Sequence, residues 1–265
     1  MMDIEDLCYF YKKAVVLEDV TLDIRQGEIL GILGPNGCGK TTLLGNLNKN
    51  LSPKAGRVLL NGMDLEEISK KDIAKVISVV PQTNEVKFAF TVRDIVTMAR
   101  MPFLDQFSGE SEEDIRIVDE ALEKTGLMSY ADRLINTMSG GERQRVIIAR
   151  AIAQTPEIIL MDEPTLHLDI SAQFDILDLV RSYSKEKGKT VVMVSHDLQM
   201  MARYCDRIIL IHNHKICAEG TPEEVLTPGN IAKVFGVDGQ FITDPSTGRK
   251  TVLLHGSCKS SEKRT

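Results

Sequence analysis

Gly34-Pro35-Asn36-Gly37-Cys38-Gly39-Lys40-Thr41 is the stretch on which the fold turns, because it fits the phosphate-binding pattern G-x-x-x-x-G-K-S/T. By chance the pattern would arise in about one chain in a hundred of ordinary composition. Its surroundings make accident less plausible still: the apolar run Glu28 to Leu33 feeds the loop, and Thr41-Thr42-Leu43-Leu44 opens a helical pattern. Glycines allow backbone N–H groups to curl around a phosphate, and the start of the following helix adds partial positive charge. Lys40 then reaches the terminal phosphates and Thr41 offers a hydroxyl to Mg²⁺. The expectation is a nucleoside triphosphate site built on Asn36, Gly37, Cys38, Gly39, Lys40, Thr41 and Thr42.

Outward from the loop, buried strands are read from short apolar runs at Glu28 to Leu33, Val76 to Val80, Ile158 to Met161 and Val191 to Val194. Helical patterns lie between them. Ser111 and Asp114 form a capping box ahead of Ile115, Val118 and Leu122, and a second helix over 171–187 stops at Gly188. Such alternation predicts an α/β fold with a largely parallel sheet covered on both faces. Residues from about 84 to 155 show helices without a convincing strand, so they are read as a helical sub-domain inserted into one domain over 1–256. A hairpin is expected over 208–218 through Asn213-His214, and the polar 257–265 as a tail.

Composition narrows the function classes. With 43% hydrophobic and 26% charged residues the chain suits a soluble globule rather than a disordered one. No apolar run approaches the roughly 18 residues of a membrane span, and the first residues, Met1 to Asp6, lack the basic start of an export signal. Five cysteines without C-x-x-C spacing fit reduced thiols. A net charge of −6 with no Lys/Arg stripe argues against a nucleic-acid partner.

Two further motifs carry chemistry. Ile158 to Met161 ends in the acids Asp162 and Glu163; one alone could cap the next turn, but two suggest that Asp162 holds Mg²⁺ through water while Glu163 polarises the attacking water. Ser139-Gly140-Gly141-Glu142 precedes Val146, Ile147, Ala149 and Ala153 at helical spacing. A capping box explains Ser139 and Glu142 but not the glycines, which cost a first turn about 1 kcal/mol against alanine. Bare backbone at a helix start suits a phosphate, and a second cradle suggests a nucleotide shared between two copies.

These motifs, with Gln82 after one strand and His196 after another, resemble the ATP-binding cassette ATPases over nearly the whole chain. The resemblance implies a P-loop NTPase core with a mixed, mainly parallel sheet, an N-terminal antiparallel β portion and the helical insertion. It further implies a head-to-tail homodimer on ATP binding, in which Ser139, Gly140 and Gly141 of one subunit contact the γ-phosphate held by Lys40 of the other. Tyr11 matches the family's adenine-stacking aromatic, with a core-facing tyrosine as the alternative. Gln82 corresponds to the glutamine that joins Mg²⁺ and the water to the helical sub-domain, and His196 to the histidine that contacts the γ-phosphate and orients Glu163. Leu168-Asp169 fits the dimer-contact loop. Met138, Leu166 and His167 depart from the family's pattern without removing a functional group.

A single cassette without heptads, a basic tract or fused membrane helices favours a separately encoded importer motor over a soluble cassette ATPase acting on DNA or ribosomes. Val96 to Pro102 and Gly220 to Leu226 resemble the group that imports iron-siderophores, haem and cobalamin. Integral-membrane permease subunits, a substrate-binding protein behind them and a place on the cytoplasmic face of the membrane follow from that resemblance, with a helix docking near Phe88 and Phe90. His212-Asn213-His214 reads as a solvated turn rather than a metal site, and Asp105, Glu110, Glu112, Glu113 and Asp114 as a solvated helix start. A thiol beside Lys40 at a helix start should have a lowered pKa, but the loop works through its backbone, which favours reading Cys38 as a small, buried and inert side chain.

Overall fold

The computed structural model describes residues 2–82, 89–104 and 109–258. From the N-terminus the elements are β1 (Met2–Tyr11), β2 (Ala14–Ile24), β3 (Ile29–Leu33), α1 (Lys40–Leu47), β4 (Ala55–Leu60) and β5 (Met63–Asp64). Next come α2 (Lys70–Val76), β6 (Ile77–Val80), α3 (Val92–Thr97), α4 (Glu112–Lys124), α5 (Gly140–Ala153), β7 (Ile158–Asp162) and α6 (Ile170–Lys187). The chain closes with β8 (Thr190–Val194), α7 (Leu198–Tyr204), β9 (Arg207–His212), β10 (Lys215–Gly220), α8 (Pro222–Val225), α9 (Pro228–Phe235), β11 (Val237–Thr243) and β12 (Lys250–Ser257).

Two compact units result, Met1–Glu67 with Thr190–Thr265, and Ile68–Lys189. In the first, β2, β1, β4 and β5 form an antiparallel sheet, while β3 lies parallel to both β8 and β9, and β10 closes antiparallel on β9. Every residue of β3 and β8 is buried, which is why both strands read as unbroken apolar runs rather than alternations. Arg207 is buried here and takes both carboxylate oxygens of Glu28, at 2.7 and 3.0 Å, with Glu219 and Asp23 beside it. A buried guanidinium needs such pairing, because an uncompensated charge in this sheet would cost several kcal/mol. The β9–β10 hairpin turns at Asn213-His214, where the sequence placed it.

The second unit joins β6 and β7 in parallel and carries α2 to α6. Its helices start where side chains can receive the free N–H groups: Ser111 caps α4, Ser139 caps α5 and Asp169 caps α6, whose other end stops at left-handed Gly188. From 89 to 155 no strand occurs among the described residues, only an isolated bridge between Thr91 and Leu134. Two expectations for α4 are corrected. Ile115 faces solvent, and Asp114 takes a core position with Val118, Ala121 and Leu122. The cause is Arg100, whose Nε lies 2.8 Å from the Asp114 carboxylate and whose Nη1 donates to the Ala153 carbonyl at 3.0 Å. Asp114 is therefore a buried ion-pair member and not part of a solvated helix start. Asp105 and residues 259–265 lie outside the described residues. Among the described residues no helix is long and apolar enough to cross a membrane.

Candidate functional site

In the first unit the phosphate loop is the turn from β3 into α1. Two of its glycines are pressed against their surroundings. A Cβ on Gly34 would stand 2.4 Å from the Ile211 carbonyl oxygen, and one on Gly39, at φ 107°, would stand 2.7 Å from both the Val16 carbonyl oxygen and Leu17 Cδ2. Gly37 differs: its φ of 79° favours glycine, but open space surrounds it. The loop is thus walled at Gly34 and Gly39 and bare at Asn36 and Gly37, which are exposed. Lys40, 7% exposed, bends back so that Nζ donates to the carbonyls of Gly34 at 2.8 Å and Pro35 at 3.1 Å. The first N–H groups of α1 have no acceptor within the helix, so ammonium charge and free donors occur in one loop.

Cys38 follows the buried reading rather than the reactive one. It is buried, and that burial pushes its thiol up, outweighing the charge and backbone N–H of Lys40, which pull the other way. Proximity to a lysine does not lower a pKa when desolvation is the larger effect. Tyr11 ends β1 opposite Ala14 and is 54% exposed, so it is not a core tyrosine; its buried neighbour Tyr9 meets it edge-on at 5.1 Å. His196 is exposed on the turn after β8, which Ser195 and Asp197 hold: the Asp197 N–H donates to Ser195 Oγ, and the Asp197 carboxylate accepts from the N–H groups of Gln199 and Met200.

In the second unit β7 delivers Asp162, 7% exposed, to its last position. Glu163 follows at φ 49°, a left-handed backbone that a residue with a Cβ rarely adopts, and the Leu166 N–H closes the turn onto the Glu163 carbonyl at 3.1 Å. Gln82 is exposed two residues beyond β6. Ser139 and Glu142 cap each other: the Glu142 N–H donates to Ser139 Oγ at 3.3 Å, and the Ser139 N–H to the Glu142 carboxylate at 2.7 Å. Those bonds, with the charges of Arg133 and Arg145 in support, hold the Glu142 carboxyl below its usual range. Neither Gly140 nor Gly141 has a left-handed φ, and the nearest atom to a Cβ on Gly140 would be 3.9 Å away. The unit's own packing gives no reason for glycine at 140, whereas Gly141 approaches Ala172 of α6 closely.

A cavity of about 430 Å³ joins Ser139, Gly140 and Gly141 to Leu168 and Asp169, two motifs that the sequence treated separately. Tyr130, Arg145 and His167 also line it, and none was singled out from sequence for a ligand role. For His167 the signal was present as a departure within Leu166-His167. Met138, the other departure, is buried and fills an apolar position as a leucine would. A second cavity of about 460 Å³ has Phe90, Met98 and Met101 among its walls, while Phe88 lies outside the described residues.

The oxygen donors suit Mg²⁺. In the second unit the Gln82 amide and the Asp162 carboxylate are hard oxygen donors, the kind this ion takes, and in the first the Thr41 hydroxyl is another. Among the described residues no group of three or more His, Cys, Asp or Glu could hold a metal alone. Donors of this kind fit an ion that arrives on phosphates and takes one or two protein oxygens.

Residues 17–166 match the ABC transporter family, more than half of the chain. The chain belongs to that family. It is an ABC ATPase, and ATP is its nucleotide. It is 41% identical over 258 residues to the iron(3+)-hydroxamate import ATP-binding protein FhuC of Bacillus subtilis, covering 97% of this chain and 96% of that one. To the ferric enterobactin transport ATP-binding protein FepC of Escherichia coli K12 it is 38% identical, covering 95% and 93%. The cobalamin import ATP-binding protein BtuD of Halobacterium salinarum is 41% identical over 89% of this chain and 59% of its own. Among solved structures, a metal-chelate type ABC transporter in an inward-facing conformation superposes with TM-score 0.84 at 28% identity, covering 96% and 97%. A dimeric ATP-binding cassette bound to ADP and phosphate does so with TM-score 0.72 at 30% identity, covering 84% and 99%.

Proposed function

We propose that this ABC ATPase is the motor subunit of an importer for iron-siderophores, with ATP hydrolysis driving uptake. The observation that carries the reading is the 41% identity to a ferric hydroxamate import subunit over nearly the full length of both chains. One domain over 1–256, with an insertion at about 84–155, is the unit that acts. Asn36 to Thr42 bind the phosphates through backbone N–H groups, Lys40 neutralises the terminal ones, and Tyr11 stacks on the adenine. Thr41, Gln82 and Asp162 are the residues that would hold Mg²⁺, which when bound neutralises charge on the β- and γ-phosphates. Glu163 polarises the attacking water, and His196 contacts the γ-phosphate and orients Glu163, the positioning and charge stabilisation on which phosphoryl transfer depends.

Ser139, Gly140 and Gly141 complete the site of a second copy, so the subunit works as a homodimer formed on ATP binding, with Glu142 holding Ser139 in place. The exposed approach to Gly140 supports this, since nothing inside its own unit fills that space. The permease docks a cytoplasmic segment in the groove at Phe90, Met98 and Met101, which places the subunit on the cytoplasmic face of the membrane, with a substrate-binding protein beyond. Cobalamin is the competing cargo, since a cobalamin import subunit is equally identical over 237 residues. Uptake of radiolabelled ferric hydroxamate and of cobalamin by cells lacking the gene decides between them: the first should be lost and the second retained. Retention of both would refute the importer assignment.

A further inference from the structure

The turn between β9 and β10 is built from two residues in the left-handed region, Asn213 at φ 46° and His214 at φ 70°. That is the two-residue geometry for which Asn-Gly is preferred, since the second position suits glycine best. Hairpin closure alone therefore favours glycine where this chain has histidine. What the histidine adds is a contact. Its Nδ1 lies 3.3 Å from the Val16 carbonyl oxygen, and because a carbonyl only accepts, the two are hydrogen-bonded in the tautomer that carries the proton on Nδ1. The turn is fastened to β2 at further points: the Glu18 N–H donates to the His214 carbonyl at 2.9 Å, and Lys215 reaches Asp19 at 3.1 Å.

The Val16 carbonyl oxygen is also the atom standing 2.7 Å from where a Cβ on Gly39 would be. Imidazole and phosphate loop thus meet the same oxygen. Gly39, at φ 107°, has no side chain of its own to hold the loop, so its shape depends on the wall it rests against. The same strand pairs Ala14 with Tyr11.

We propose that His214 is a positioning residue of the nucleotide site: its imidazole fixes the Val16 carbonyl against Gly39 and so keeps the phosphate loop in shape before ATP arrives. This rests on the reading of residues 34–42 as the ATP site. Preorganisation of this kind shows in affinity, because a loosened loop must be ordered at each binding event.

The test is His214→Gly in the full-length chain, with MgATP Kd from titration calorimetry, Tm, and kcat at saturating ATP. Glycine accepts this backbone without strain, so Tm should hold or rise. Loss of one hydrogen bond should weaken MgATP binding by about three- to ten-fold, with kcat unchanged. His214→Asn places an amide N–H near the position of Nδ1 and tolerates the left-handed region, so it should recover most of the affinity. Wild-type affinity in His214→Gly, a fall in Tm alongside the loss, or an Asn variant as weak as the Gly variant would each overturn the proposal. Lys40→Ala, measured in parallel, separates the two levels. If it keeps wild-type affinity, the ATP-site reading itself fails; if it loses affinity while His214→Gly does not, only the role of His214 fails.

Discussion

Lys40 closes the phosphate loop onto its own beginning, its ammonium lying 2.8 Å from the Gly34 carbonyl oxygen. One side chain thus braces the loop and supplies its charge. Lys40→Ala removes both, and on the proposal that the charge faces phosphates in the ground state as well as the transition state, binding should suffer and not turnover alone. MgATP affinity by titration calorimetry should fall at least about ten-fold, the loss expected when a charged hydrogen-bonding group is deleted from a polar site.

Glu163 stands at φ 49° directly after buried Asp162, a strained backbone for a glutamate. If that strain serves to aim the carboxylate at the attacking water, Glu163→Gln should keep the geometry and lose the base. Hydrolysis should drop by about 10²-fold or more while MgATP still binds, and a nucleotide-bound dimer should accumulate in gel filtration. Wild-type turnover in this variant would remove Glu163 from the catalytic role.

Most of this site was legible in the sequence because its parts are local. The phosphate loop, the acids after β7 and the Ser139–Glu142 cap each lie within a few consecutive residues whose types dictate their geometry. Two things were not legible, for one physical reason. The pairing of Arg100 with Asp114 and the meeting of His214 with Val16 each depend on a neighbour distant in the chain, and no local periodicity records that neighbour. The exposure of Ile115 is the clearest case: the apolar series that began the helix pattern was displaced by an aspartate whose partner lies 14 residues earlier.

The Ser139–Glu142 cap separates two effects of mutating the signature. Ser139→Ala should lower the stability of the second unit by about 1 kcal/mol through loss of the cap, read as a shift in urea midpoint. Ser139→Arg should in addition stop ATP-dependent dimerisation by filling the cavity that Gly140 leaves open. Mixing Ser139→Arg with Lys40→Ala protein should leave at most one intact site per mixed dimer. Unchanged hydrolysis and dimerisation in Ser139→Arg would refute the shared site.

Acid should find the Arg100–Asp114 pair. The Ser111 hydroxyl first, and then the Arg100 guanidinium, bring the Asp114 carboxyl down to about 2 from an ordinary value of 3.8. The folded-state value is the lower one, so the carboxylate's contacts with Ser111 and Arg100 together contribute stability above pH 4 that is lost as pH falls from about 4 to 2, worth about 2 kcal/mol at 1.36 kcal/mol per unit. Urea midpoints across that window should flatten in Asp114→Asn relative to wild type. Arg100→Met, which strands the buried carboxylate, should cost about 3–5 kcal/mol at pH 7.

Cys38 is the sharpest case of burial opposing a neighbouring charge. Its thiol is pushed up from an ordinary 9.0 although Lys40 pulls it down, because desolvation penalises the thiolate more. Its sulfur also lies 2.6 Å from the position a Cβ on Gly34 would take, leaving no room there for an adduct. N-ethylmaleimide at pH 7 should therefore label exposed Cys217 well before Cys38, as read by peptide mass mapping, and ATPase activity should outlast the first labelling event. Cys38→Ala should hydrolyse ATP as wild type does, since the loop works through its backbone. Labelling of Cys38 should speed up about ten-fold per pH unit below its pKa, because only the thiolate reacts. Rapid inactivation at pH 7 that MgATP prevents and Cys38→Ala resists would mean that the thiol is ionised in place, and the dominance of desolvation over the lysine would be wrong.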